Sequence, residues 1–355
     1  MNKRDSGQNV LVKGNAAIDI YMKDKYIFPY DYLSDAKIEL ERQNKYNIYF
    51  VLKAHRYNIC NIKIYDQYNF VVDIRDAVDG NVLKIPLNIQ LFIQVPSLEY
   101  VRLSIVNNKS VLQIDFTEKG MKFLEKNHLE FVEYNKKIIE KYGHMRFEMH
   151  VNFLRNLFFE FQGRENIEKY ELLYIGQTKK DNIYQRLYSH NTIPEIVRNL
   201  NREDNNEKYE LDILVTGVHI KYYEENEIKE YLTNIISANS LQDDFLINEG
   251  LIAREEVVNI AEAMLILFFK PEYNDKLKNT KKPEELNTYR IFNECLINPI
   301  TYSLDLYFED TKKKVILKTN TASTEYKQNL LVCKFNDSGS VDEIKLDYFP
   351  KDYYW

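Results

Sequence analysis

Arg186 and His190 lie four residues apart in "NIYQRLYSHNT", a spacing that puts a guanidinium and an imidazole on one helical face. That face is either solvated packing or a place where an anion is held beside a proton acceptor. Glu262 sits in "VVNIAEAMLILFFKPEYN", and its own turn is otherwise apolar. A carboxylate there must be paired, neutralised or bound to a metal. Asn274 ends the same stretch, just past Pro271, where a turn asparagine is the ordinary reading. Tyr174 belongs to "ELLYIGQT", an apolar strand that passes through Gly176 toward the Arg186 helix.

These side chains need elements to hold them. From Lys45 to Phe116 the chain is rich in β-branched and aromatic residues split by Asp-Gly and Asn-Asn turns, so residues 1–117 are expected to form a β-rich domain. Glu118 to Tyr142 carries helical apolar spacing closed by Gly143, which predicts a linking helix over 118–143. A mixed unit is expected over 144–287. Its parts are a strand at "VNFLRNLFFEFQ", the Tyr174 strand, the Arg186 helix, a strand at Tyr209 to Tyr223, and helices at Glu225 to Asn239 and Glu255 to Phe269. From Thr288 the pattern returns to strands, giving a β-rich region over 288–355. The expected fold class is α+β.

In their order along the chain, Tyr174-Ile175-Gly176, Arg186, His190, Glu262 and the "PEYN" that ends at Asn274 resemble the GIY-YIG nuclease superfamily. The Arg-x-x-x-His spacing resembles its restriction-enzyme-like members. The resemblance covers roughly Val151 to Glu284 and leaves the β-rich flanks outside. It implies a GIY-YIG-like domain at 144–287 and a metal-dependent endonuclease that hydrolyses phosphodiester bonds in DNA, with RNA left open. Restriction or phage defence is the setting it implies; a catalytically inactive nucleic-acid-binding module of the same fold is the alternative. Tyr174, Arg186, His190, Glu262 and Asn274 are the implied catalytic set, and they should face one cleft. Glu262 would be the protein ligand of Mg²⁺ (or Mn²⁺), since such an ion keeps most of its waters and takes a phosphate oxygen as a further ligand. Arg186 would hold the non-bridging oxygens, and Asn274 would orient Tyr174 or the strand end. Lys179, Lys180, Lys276, Lys278, Lys281 and Lys282 would contact the nucleic-acid backbone.

Two departures from the family pattern stand out. No GIY precedes the YIG, and the upstream "NLFFEF" puts Phe158, Phe159 or Phe161 where a tyrosine that helps activate water is expected. His190 is then the first choice for the proton acceptor and Tyr174 the second. The gap from Arg186 to Glu262 is also long, which suggests that the strand Tyr209 to Tyr223 and the helix after it are inserted.

Composition limits the partners only loosely. The 355 residues carry a net charge of −6, so no global basic field advertises nucleic acid, although a local basic groove remains compatible. Cys60, Cys295 and Cys333 lie far apart without a CxxC pair, as expected for a reducing cytoplasm rather than a disulfide framework or a zinc site. The longest apolar run, Ala263 to Phe269, is too short to span a membrane, and the opening residues lack the apolar core of a signal peptide.

Overall fold

The structure is a computed structural model that describes residues 16–41, 45–93, 95–178, 182–202, 207–223, 252–275, 297–324, 328–335 and 341–347. The chain opens with β1 (Ala16–Pro29), a short helix α1 (Lys37–Glu41) and β2 (Ile48–His55). A long excursion follows. It comprises β3 (Tyr57–Ile64), β4 (Asn69–Asp76), β5 (Val82–Asn88), α2 (Ile89–Phe92), β6 (Val101–Val106) and β7 (Val111–Phe116). It continues through α3 (Glu118–Asn127), α4 (Leu129–Tyr134), α5 (Lys136–Tyr142), β8 (Arg146–His150) and α6 (Val151–Phe161). The chain returns as β9 (Asn166–Gln177), α7 (Ile183–Tyr188), α8 (Thr192–Arg202), β10 (Tyr209–Tyr223) and α9 (Arg254–Phe269). It ends in β11 (Ile297–Asp305), β12 (Tyr307–Phe308), β13 (Lys313–Lys318), β14 (Gln328–Phe335) and β15 (Val341–Asp347).

Nine strands form one sheet in the order β12-β13-β9-β2-β10-β1-β11-β14-β15. Its middle is an antiparallel trio: β2 pairs with β9 on one side and β10 on the other. Every residue from Ile48 to Leu52 is buried, because both faces of β2 are covered. Ile48, Phe50 and Leu52 belong to the same core as α9, whereas Tyr49 and Val51 belong to that of α7 and α8. This is the period-two alternation of a strand used on both sides. The fold class is α+β, as expected. Among the described residues no helix is long and apolar enough to cross a membrane.

The sheet takes strands from all the β-bearing segments that the sequence reading separates at 117, 143 and 287. β1 and β2 come from the first, β9 and β10 from the middle, and β11 to β15 from the last. Strand pairing is set by long-range register and cannot be seen in local composition. The excursion has its own core, in which two three-stranded sheets, β3-β4-β5 and β6-β7-β8, share Phe70, Ile85, Leu112, Ile114 and Leu154.

Three local expectations change. "VNFLRNLFFEF" is helix α6, not a strand; Val151, Leu154 and Arg155 are its buried residues, spaced at i, i+3 and i+4. A short apolar run does not distinguish the two states by itself. The single helix expected over 118–142 is three helices, divided at His128 and Asn135. The strand Tyr209 to Tyr223 is no peripheral insertion, since β10 completes the central trio. The helix expected at Glu225 to Asn239 lies outside the described residues.

Candidate active site

The site forms where the "YIG" end of β9 meets α7, α8 and α9. Arg186 is placed by α7, whose N-cap is Asn182; the Asn182 Oδ1 accepts from Gln185 N at 2.8 Å. Ile183 and Leu187 are buried beneath, which leaves Arg186 on the exposed side. Glu262 comes from α9, whose Val258, Ile260, Ala261, Met264 and Leu265 are buried in the main core. Burial on nearly all sides explains why Glu262 stands out in sequence, and the side it occupies opens onto a cleft.

Past the α9 terminus, Tyr273 N donates to Leu173 O at 3.1 Å. Asn274 then holds Ile175 twice: Ile175 N donates to Asn274 Oδ1, and Asn274 Nδ2 donates to Ile175 O, both at 2.8 Å. These bonds tie the backbone on either side of Tyr174, next to the register shift in the β2–β9 pairing. Asn274 is therefore a positioning residue, buried and saturated by backbone.

Tyr174, Arg186, His190, Glu262 and Asn274 all line one cleft of about 530 Å³. The five residues singled out in the sequence are thus brought together from three separate segments. Gln177 Nε2 donates to Glu262 Oε2 at 2.7 Å and to Asn259 Oδ1 at 3.0 Å, which fixes the carboxylate at the cleft wall. One hard oxygen ligand facing an open polar cleft, with room for water and a phosphate oxygen, is a donor set that fits Mg²⁺ or Mn²⁺.

His190 departs from the role first assigned to it. Thr192 N donates to its Nδ1 at 3.1 Å, so His190 caps α8 and its ring proton sits on Nε2. Burial, with Arg186 nearby, pushes its pKa down to about 4. The ring is neutral at pH 7, weakly basic, and already uses its free lone pair. It stands edge-on to Tyr174, with centroids 5.1 Å apart, and to Tyr49, with centroids 5.8 Å apart.

Tyr49 is the residue that the sequence reading lacks. The tyrosine sought among Phe158, Phe159 and Phe161 is absent there because α6 belongs to the excursion. A tyrosine does stand on the strand paired with the YIG strand, where Tyr49 is opposite Gly176 and Phe50 opposite Ile175. Its sequence signal is the "IY" at 48–49, about 125 positions ahead of Tyr174. Gly176 is required by that neighbour, since a Cβ there would lie 2.3 Å from both Cζ and the hydroxyl of Tyr49. The Tyr49 hydroxyl is buried and makes no well-formed hydrogen bond. Burial is the main cause that pushes its pKa well above the ordinary value; Tyr174 and Glu262 add to this and Arg186 opposes it. Burial and Glu262 likewise raise Tyr174, and Arg186 lowers it.

Lys179, Lys180, Lys276, Lys278, Lys281 and Lys282 lie outside the described residues. No family model, curated protein or solved structure matches the chain.

Proposed function

We propose that the chain is a GIY-YIG-like, metal-dependent endonuclease that hydrolyses phosphodiester bonds in DNA. The observation that carries this reading is the convergence of Tyr174, Arg186 and Glu262 on one cleft, with Tyr49 buried behind them and within electrostatic reach of all three. Arg186, exposed at the cleft edge, binds the non-bridging phosphate oxygens through its planar fork. Glu262, oriented by Gln177, is the metal ligand. A bound Mg²⁺ or Mn²⁺ would supply positive charge opposite Glu262, polarise the phosphate and offset the effect of the carboxylate on the two tyrosines. Tyr49 takes the place of the proton acceptor: its hydroxyl is desolvated, makes no well-formed hydrogen bond and lies beside Arg186, whose charge eases ionisation. Tyr174 lies between Tyr49 and Glu262 in this scheme and orders the attacking water. Asn274 and Gly176 act through these groups, the first by holding the strand and the second by leaving space for the Tyr49 ring. His190 is a neutral wall and helix cap.

A tyrosine hydroxyl in place of the expected phenylalanine favours hydrolysis over a binding-only module. Nicking of supercoiled plasmid by the full chain, with Mg²⁺ or Mn²⁺ and with chelator, tests the reading. Cleavage that depends on the metal and is lost in Glu262→Gln is expected. Undiminished cleavage by Glu262→Gln rejects the assignment of the metal ligand. Binding without cleavage under either metal leaves the nucleic-acid-binding module.

A further inference from the structure

At the opposite end of the central trio lies a second cavity, of about 200 Å³, between the sheet and the excursion. The sheet contributes Ala54, Glu168, Tyr170, Glu210 and Asp212, and helix α6 contributes Asn152 and Arg155. Glu168 is fully committed. It pairs with Arg155 Nη1 at 3.1 Å and with Lys313 Nζ, and it accepts from Tyr170 and Asn166. Glu210 and Asp212 are two apart on β10, so they share a sheet face. Asp212 is 3% exposed, and its Oδ1 has no hydrogen-bond partner. Asn152 Oδ1 and Arg155 Nε, in the same cavity, are also unpartnered. Glu210 Oε1 accepts a long 3.4 Å bond from Asn152 Nδ2, with Arg56 and Arg155 nearby. Asp76, Asp79, Glu168, Glu210 and Asp212 bring five carboxylates to the cavity, against the cations of Arg155, Lys169 and Lys313.

A cation would satisfy buried acceptors without donors and offset the negative charge, in place of the protons that burial otherwise favours on Glu210 and Asp212. The unpartnered acceptors are one carboxylate oxygen, of Asp212, and one amide oxygen, of Asn152; with the Glu210 carboxylate in the same cavity they make the donor set of a hard divalent ion. We propose that this cavity is a second divalent-metal site, separate from the Glu262 cleft, with Asp212, Glu210 and the Asn152 amide oxygen as protein ligands. Water retained by the ion would accept from Arg155 Nε. Because Asp212 is on the central sheet and Asn152 on the excursion, the ion would join the two. His55, Asp76 and Asp79 at the rim are a weaker candidate, although their ligand atoms lie within 4.8 Å of one another. Asp76 is already used: its Oδ1 accepts from Val78 N and Asp79 N, and its Oδ2 meets His55 Nδ1 at 3.0 Å.

The test uses full-length Glu262→Gln protein, so that the cleft does not contribute and failure of the nuclease reading has no bearing. Bound Mn²⁺ is counted by electron paramagnetic resonance, and Tm is followed as Mn²⁺ is added. One bound ion and a rise in Tm are expected. Adding Asp212→Asn should weaken binding about tenfold or more while the metal-free protein stays folded, because an isosteric amide replaces a buried charge. Asn152→Asp, which adds a carboxylate ligand, should tighten binding. No bound ion in Glu262→Gln overturns the proposal. So does Mn²⁺ affinity that is unchanged by Asp212→Asn and not raised by Asn152→Asp. Binding that is lost in Asp79→Asn and kept in Asp212→Asn places the ion at the rim and also overturns it.

Discussion

The two ends of β2, β9 and β10 carry similar chemical groups and use them differently. At the far end, Glu168 is enclosed by Arg155, Lys313, Tyr170 and Asn166, and although burial works against ionisation, the two cations drive its pKa down to about 2. At the cleft end, Glu262 faces open space beside Tyr174 and an exposed Arg186, and Tyr49 keeps a buried hydroxyl without a hydrogen bond. An ion network that is saturated by protein serves the fold. Groups held in place with capacity left over can serve a substrate.

Exchanging the roles of the two glutamates should separate the ends most sharply. Glu262→Gln should lower the cleavage rate by about a thousandfold or more, since an amide is a poor Mg²⁺ ligand, with Tm within about 2 °C of the parent. An equal loss of stability would make Glu262 a structural partner like Glu168. Glu168→Gln should do the reverse. Leaving Arg155 and Lys313 without their anion should cost about 3–5 kcal/mol in chemical denaturation, with the rate per folded molecule unchanged.

The same contrast has a pH signature. Glu168 falls from an ordinary value of 4.5 to about 2 in the folded chain. Its ionised form therefore stabilises the protein fully above pH 4.5, and that contribution fades as pH falls from 4.5 toward 2. The steepest part of the acid unfolding curve should flatten over that window in Glu168→Gln. A curve of the same shape would show that other carboxylates control acid unfolding.

Tyr49→Phe should lower kcat about a hundredfold with little change in KM, while stability is unchanged or slightly higher, because the hydroxyl removed is buried and unpaired. If Tyr174→Phe is the more damaging variant, the two phenols exchange roles. The smallest effect is expected at His190. His190→Ala should cost about 1 kcal/mol of stability from the lost α8 cap, with the pH–rate profile keeping its shape near neutrality. An inflection near pH 6–7 that disappears in His190→Ala would restore histidine as the base.

Much of the cleft was legible because its parts are local. A strand pattern ending at Gly176 contains Tyr174, the helix after it carries Arg186, and a lone carboxylate in an apolar helix marks Glu262. Pro271 ends that helix, and Asn274 follows within one turn. Side-chain period and helix stops are properties of neighbouring residues, so one sequence is enough to read them. The helical face expected to join Arg186 and His190 does not form, because α7 ends at Tyr188 and His190 lies in the turn before α8. Tertiary structure alone decided the rest. Tyr49 lies opposite Gly176 only because an excursion of over a hundred residues leaves β2 and returns as β9, and no local signal reports the partner of a strand. The hydrogen bond from Thr192 N to His190 Nδ1 is equally invisible in composition. The opening residues of β10 read as an ordinary alternating strand; only the arrival of α6 over Glu210 and Asp212 turns that alternation into a desolvated pair of carboxylates.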